Sequence, residues 1–278
     1  LLCDDPIFAT AAERVLTLYE ACTHDGLLSM PMADVTGEPT CLHHTFAHAK
    51  ALAALVTAES VTEARVTTLP GEEKFGVRAY QNGHLVLVSD GSFRATFSTI
   101  RNDCQPSHTA NAGGSMTLLY HDTYGVVCAA TTAEYIPTEP LNQQYLRKVA
   151  SPPSMTAQFV IDGRQACRDR SARLLQEGTV ITATAEEWQA RYSFEGSELK
   201  ITLECADGVY RLPLVCGKDQ RVTLSENNTE LKIEGGVTVL SSVPMVTSPE
   251  RRVFHPVGGL AYLPIEIPVA GSVTVVIK

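Results

Sequence analysis

From about residue 64 to the C-terminus the apolar side chains recur at every second position, and this constrains the fold more than any other feature. Leu199, Ile201, Leu203 and Cys205 alternate with Lys200, Thr202 and Glu204, the mark of a strand with one buried and one wet face. The same period predicts strands over residues 75–80, 84–88, 93–98, 116–120, 125–130 and 157–161. It resumes over 180–184, 189–194, 199–205, 209–215, 231–233, 237–240, 261–267 and 273–277. Asn82-Gly83 joins two of these runs and is a hairpin signal. So many strands without intervening helices exclude a parallel α/β fold and predict a mainly β protein, a large antiparallel β-sandwich. Softer seams fall at residues 145–153 and 164–173.

Before that region the period is near 3.6. Asp5 caps a first helix, Pro6 suits its first turn, and Gly26 follows its end. Its expected apolar stripe is Ile7, Phe8, Ala11, Ala12, Val15, Leu16, Leu18, Tyr19 and Cys22. A turn-rich stretch leads to a second helix over residues 41–58, with Thr40 as cap. Leu42, Phe46, Ala49, Leu52, Ala53 and Val56 fill one side of it, and Ala47, Ala51, Ala54 and Leu55 much of the other. A helix apolar nearly all round is buried on most sides, which two helices and one sheet face hardly achieve. The expected organisation is a helical segment over 1–62, reading as the remnant of a larger helical array, and the sandwich over 63–278. The chain opens Leu1-Leu2-Cys3 with no basic n-region, so we expect no signal peptide and a processed or truncated product. The longest apolar runs, 52–56 and 85–88, are too short to span a bilayer, and no membrane partner is expected.

The net charge of −9 and a pI near 5.4 disfavour nucleic acid, whose phosphates an acidic surface repels. Eight cysteines, none in a C-x-x-C pair, leave the redox compartment open. Cys128 and Cys205 sit within strand patterns and read as buried small hydrophobes.

Three polar clusters can carry chemistry. His43, His44 and His48 lie within six residues on the second helix, three of the chain's eight histidines. His44 and His48 share one face; His43 shares another with Lys50. Such histidines suit proton transfer, with Lys50 contacting substrate. They also suit zinc if a third ligand such as His121 or Asp122 converges on them, although the glutamate of H-E-x-x-H is missing. No cofactor is expected otherwise. The alternative is that they satisfy backbone groups inside a packed bundle. Tyr120, His121 and Tyr124 form the second cluster, on a turn between strands, where tyrosine and histidine can take and give protons. The alternative there is a polar turn with tyrosines packed at a sheet edge. Arg101 marks a third, a polar loop with Asn102, Asp103, His108 and Asn111, which either touches a sugar or covers the sheet. Arg147, beside Lys148, is a candidate for holding a carboxylate. Glu186 and Glu187 lie beside Trp188, the only tryptophan, which reads as core more readily than as a sugar platform.

A histidine-bearing helix followed by a long β region containing Gly113-Gly114-Ser115-Met116-Thr117-Leu118-Leu119-Tyr120-His121-Asp122-Thr123-Tyr124-Gly125 resembles the heparinase II/III-like polysaccharide lyases and the uronate-releasing glycoside hydrolases. The resemblance covers the end of an α/α toroid and most of a C-terminal β-sandwich. It implies a carbohydrate-active enzyme acting on uronate-containing poly- or oligosaccharide, with a substrate cleft between toroid and sandwich. In the lyases, a tyrosine or histidine removes the proton beside the uronate carboxyl while another residue neutralises that carboxylate. It also implies a periplasmic or secreted location, with the cytoplasm left open, and a missing helical region or a second copy as partner. The alternative is a non-catalytic glycan-binding or structural sandwich.

Overall fold

A computed structural model describes residues 5–21, 23–24, 27–28, 49, 53, 65–100, 112–130, 155–217, 220–247, 253–255 and 260–278. The described chain is mostly strand, as the period predicts. It divides into two compact units: Leu1–Glu73 with Tyr135–Gln144 and Pro256–Leu260, and the remainder.

In the first unit, α1 (Pro6–Ala21) begins where expected. The Ile7 N–H donates to Asp5 Oδ1 at 2.9 Å, satisfying one of the helix's orphan donors. Its packed face differs from the expected stripe. Ala9 and Thr10 are buried, while Phe8, Val15 and Leu16 stay exposed. The segment after residue 64 decides this: the Val66 N–H donates to Thr10 Oγ1 at 3.0 Å, and Arg65 Nε pairs with Glu13 at 2.8 Å. Arg14 pairs with Glu72. A two-residue hairpin follows α1, β1 (Thr23–His24) with β2 (Leu27–Leu28). Ala49 and Ala53 are helical, as expected, but exposed; the rest of the second helix lies outside the described residues.

The second unit opens with an antiparallel meander: β3 (Gly76–Tyr80), β4 (Leu85–Asp90), β5 (Phe93–Ser98), β6 (Met116–His121) and β7 (Gly125–Ala129). Next come the short hairpin β8 (Gln158–Ile161) and β9 (Arg164–Gln165). The chain continues through β10 (Arg173–Glu177), β11 (Val180–Thr184), β12 (Trp188–Glu195) and β13 (Glu198–Val215). After them run β14 (Val222–Leu224), β15 (Glu230–Ile233), β16 (Thr238–Ser241), β17 (Val253–His255) and β18 (Leu260–Ile277). Hydrogen bonding links β3 to β18 into one network of sixteen strands.

β13 and β18 run to 18 residues each and pair from Leu199↔Ile277 to Val215↔Tyr262. The sequence suggests two strands in place of each, with breaks at 206–208 and 268–272. The structure instead absorbs them in a register shift between Cys205 and Gly208. At that bulge β13 changes neighbours, from β12 to β8 and then to β7. β10 begins at the end of the seam over 164–173 and continues where the sequence suggests no strand. As an edge strand with four of five residues exposed, it has no alternation to read. Tyr80 and Leu85 pair across the Asn82-Gly83 hairpin, but His84 rather than Gly83 takes the left-handed conformation, at φ 50°.

The meander and the β10–β13 sheet meet face to face. Phe97 packs on Tyr192 with ring centroids 4.7 Å apart, and Phe93 on Phe194 at 6.3 Å. The Tyr192 and Tyr210 hydroxyls, both buried, bond to each other at 2.8 Å, one donating and the other accepting, so each buried oxygen has a partner. Trp188 is buried against Phe159, as core. Cys128 and Cys205 are buried too, and burial pushes the Cys128 thiol up to about 12, far from a reactive thiolate.

The layers also touch through two glycine turns. The Ser92 N–H donates to the Gly196 carbonyl at 2.9 Å, and a Cβ on Gly91 would overlap that carbonyl. Gly178 has a similar positive φ with nothing near its missing Cβ. Gly178→Ala should therefore cost only the left-handed strain, about 1–2 kcal/mol, and Gly91→Ala about 3 kcal/mol or more. Denaturation midpoints measure both, and equal losses would refute this contact.

Candidate functional site

The β6–β7 hairpin is three residues long. His121 pairs with Gly125, which takes a φ of 74°, and Asp122, Thr123 and Tyr124 form the loop. Strand alternation sends neighbouring side chains to opposite faces. His121 therefore turns inward, buried edge-on to Phe93 at 4.9 Å, while Tyr120 lies on the outer face of the meander.

His121 is tightly held. The Thr123 N–H donates to its Nδ1 at 3.1 Å, and the Tyr124 ring stacks on it at 4.6 Å. A backbone N–H can meet only a lone pair, so Nδ1 is unprotonated and the ring proton of the neutral imidazole sits on Nε2. Burial depresses its pKa; Asp122 pulls the other way, and Lys74 adds to the depression.

On the outer face β5 and β6 are in register so that Arg94 is the direct partner of Tyr120. The Arg94 guanidinium lies 5.9 Å from the Tyr120 ring centroid, within reach of a cation–π interaction. Asp122 ties this arrangement together. It pairs with Arg94 and accepts from Lys74 Nζ at 2.7 Å. Burial raises the Asp122 carboxyl, but the hydrogen bonds and charges of Lys74 and Arg94 outweigh it and hold the pKa below the ordinary carboxylate range. Asp122 thus gathers two cations beside a tyrosine ring. Such a group can receive an anionic sugar.

Of the sequence-derived candidates, the structure places Tyr120, His121 and Tyr124 on one hairpin, with Tyr120 and His121 on opposite faces. His43, His44, His48, Lys50, Arg101 and Arg147 lie outside the described residues, as do Asn102, Asp103, His108, Asn111 and Lys148. Among the described residues no three His, Cys, Asp or Glu side chains group as a metal site. Lys74 and Arg94 were not legible as site residues. Arg94 occupies an outward position of a clear strand pattern, but only the pairing register sets it opposite Tyr120.

Similarity to known proteins bears on what this arrangement serves. Residues 1–73 match the ulvan lyase N-terminal domain and residues 77–167 the ulvan lyase C-terminal domain. The broad-specificity ulvan lyase of Formosa agariphila is 31% identical over 298 aligned positions, which cover 95% of this chain and 47% of that protein. The chain thus spans about half the length of this curated relative. Both domain matches and this relative are ulvan lyases. Among solved structures, the 4-alpha-glucanotransferase of Thermococcus litoralis aligns over 72% of this chain and 38% of its own, at 9% identity and a TM-score of 0.39. A protein described as a mutarotase from Salmonella typhimurium aligns over 69% and 89%, at 11% identity and a TM-score of 0.36. Likeness at that level says nothing about activity.

The depressed His121 pKa has a consequence for stability. Below its ordinary value of 6.5 the unfolded chain binds a proton that the folded chain resists, so stability falls as pH drops from 6.5 toward the depressed value. His121→Phe should flatten this part of the profile, measured by chemical denaturation at a series of pH values. An unchanged slope would mean that His121 is not held neutral.

Proposed function

We propose that this chain forms part of the substrate cleft of a lyase that cleaves uronate-containing polysaccharide, ulvan above all, by β-elimination. The observation that carries the reading is the match of both ulvan lyase domains, in order, along the chain. The outer face of the meander supports it with chemistry of the right kind. In such an elimination a base takes the proton beside the carboxyl, the electrons form the new double bond, and the 4-linked sugar leaves with a proton from an acid. The first step builds charge on the carboxylate, which nearby cations stabilise.

In this reading Tyr120 exchanges protons with the substrate, and Arg94 and Lys74, ordered by Asp122, face the uronate carboxylate. Tyr124 borders the same turn. His121 supports the hairpin through its inward ring. His43, His44, His48 and Lys50 remain candidates from the helical side, and Arg101 and Arg147 for substrate contact. A heparinase II/III-like pairing of toroid and sandwich is part of the same proposal. The domain matches favour elimination over hydrolysis.

The test is turnover of ulvan, followed by the ultraviolet absorbance of unsaturated uronate ends. Tyr120→Phe should lower kcat about 10²- to 10⁴-fold. Arg94→Ala should lower kcat/KM roughly ten- to a hundredfold, the size of a lost charged hydrogen bond. Release of reducing ends without that absorbance would overturn elimination. Full activity of Tyr120→Phe would remove Tyr120 from the mechanism.

A further inference from the structure

A concave site lies on loops that contribute nothing to the β6–β7 hairpin. It is a cleft of about 580 Å³, within the range of roughly 300–1,000 Å³ typical of ligand sites. Its walls are the β8–β9 turn, the segment through Ser171, and Glu186-Glu187 ahead of β12; Trp188 also lines it.

Local chain geometry gathers the charges here. Asp162 and Gly163, at φ 49° and 73°, make a two-residue turn between the paired residues Ile161 and Arg164, the type that matches strand twist. A single 3₁₀ turn, Ala166–Arg168, follows directly. The Cys167 N–H donates to the buried Gln158 Oε1 at 2.8 Å and pins that turn to β8. As a result Arg164, Arg168 and Arg170 line one cavity although they lie within seven residues of sequence.

Carboxylates line the cleft as well, Asp169, Glu186 and Glu187 among them. Arg164 reaches both oxygens of Glu187, at 3.1 and 2.9 Å. Asp169 Oδ1 accepts from the Ser171 N–H and hydroxyl, at 2.8 and 2.7 Å. Exposed ion pairs of this kind add little to stability, so folding alone gives weak reason to collect them. A lining that mixes guanidinium groups with carboxylates suits a ligand that is both anionic and rich in hydroxyls. Guanidinium groups hold a carboxylate or sulfate in a two-point grip, and the carboxylates accept from hydroxyls.

We propose that this cleft is a second saccharide site, binding an acidic sugar residue of a polysaccharide apart from the Tyr120 face. The choice of ligand rests on the lyase reading; the cleft and its charges do not. The test is ligand-observed NMR titration of the protein with methyl β-glucuronide, glucose 6-sulfate and neutral methyl glucoside. It uses wild type, the double variant Arg168→Ala/Arg170→Ala, and Tyr120→Phe, each checked for an unchanged melting transition.

Binding of at least one anionic sugar should be tenfold or more tighter than that of the neutral one. It should weaken tenfold or more in the double variant and persist in Tyr120→Phe. Binding of the glucuronide alone assigns a uronate, and of the sulfate alone a sulfated sugar. The proposal is overturned if the double variant binds as wild type does, or if no anionic sugar binds with a Kd tighter than about 10 mM. Failure of Tyr120→Phe to slow turnover would sink the mechanism above and leave this cleft standing.

Discussion

The pairing of β13 with β18 is the constraint on which the β unit depends. Two 18-residue strands hydrogen-bond along almost their whole length, and each lends its outer edge to other strands. β13 serves β12 with one half and β8 and β7 with the other, and the bulge between Cys205 and Gly208 marks the change. An antiparallel ladder with an inserted residue bends and twists more sharply there. One strand can in this way belong to both layers, and the aromatic contacts of Phe93 and Phe97 with Phe194 and Tyr192 fill the space between them.

That frame sets what the meander can present. Its inner face is committed to the core through Phe93, Phe97, Met116 and Leu119, all fully buried. Polar chemistry is left to the outer face and the turns. Arg94 and Tyr120 share that face because β5 and β6 pair in a particular register, and Asp122 in the turn holds Arg94 and Lys74 beside them. A one-residue slip would send Arg94 into the core. Packing therefore enforces the position of the cations: the energy that buries Phe93 also keeps Arg94 outside.

Much of this was legible in the residues, for reasons that differ from element to element. The sequence marks β5 to its exact ends because Phe93, Ala95 and Phe97 alternate cleanly between Ser92 and Thr99. It breaks the 18-residue strands into halves because a glycine in mid-strand interrupts the pattern until its partner strand is known. It carries no sign of β10 because an exposed edge strand has little to alternate. In the site, Tyr120, His121 and Tyr124 stood out as an unusual run of ionisable and aromatic residues, whereas Lys74 and Arg94 did not. Nothing in single residues such as these tells which tyrosine they will face.

The sequence by itself determined the class of fold and the site's chemical vocabulary. Alternation sets which side chains a strand must bury, and that choice is local. Only the tertiary structure decided that Tyr120 and His121 part to opposite faces with different partners, that one carboxylate orders two distant cations, and that three arginines close around a single cleft. Those outcomes depend on pairing register and turn conformation, where residues far apart in sequence fix each other's positions.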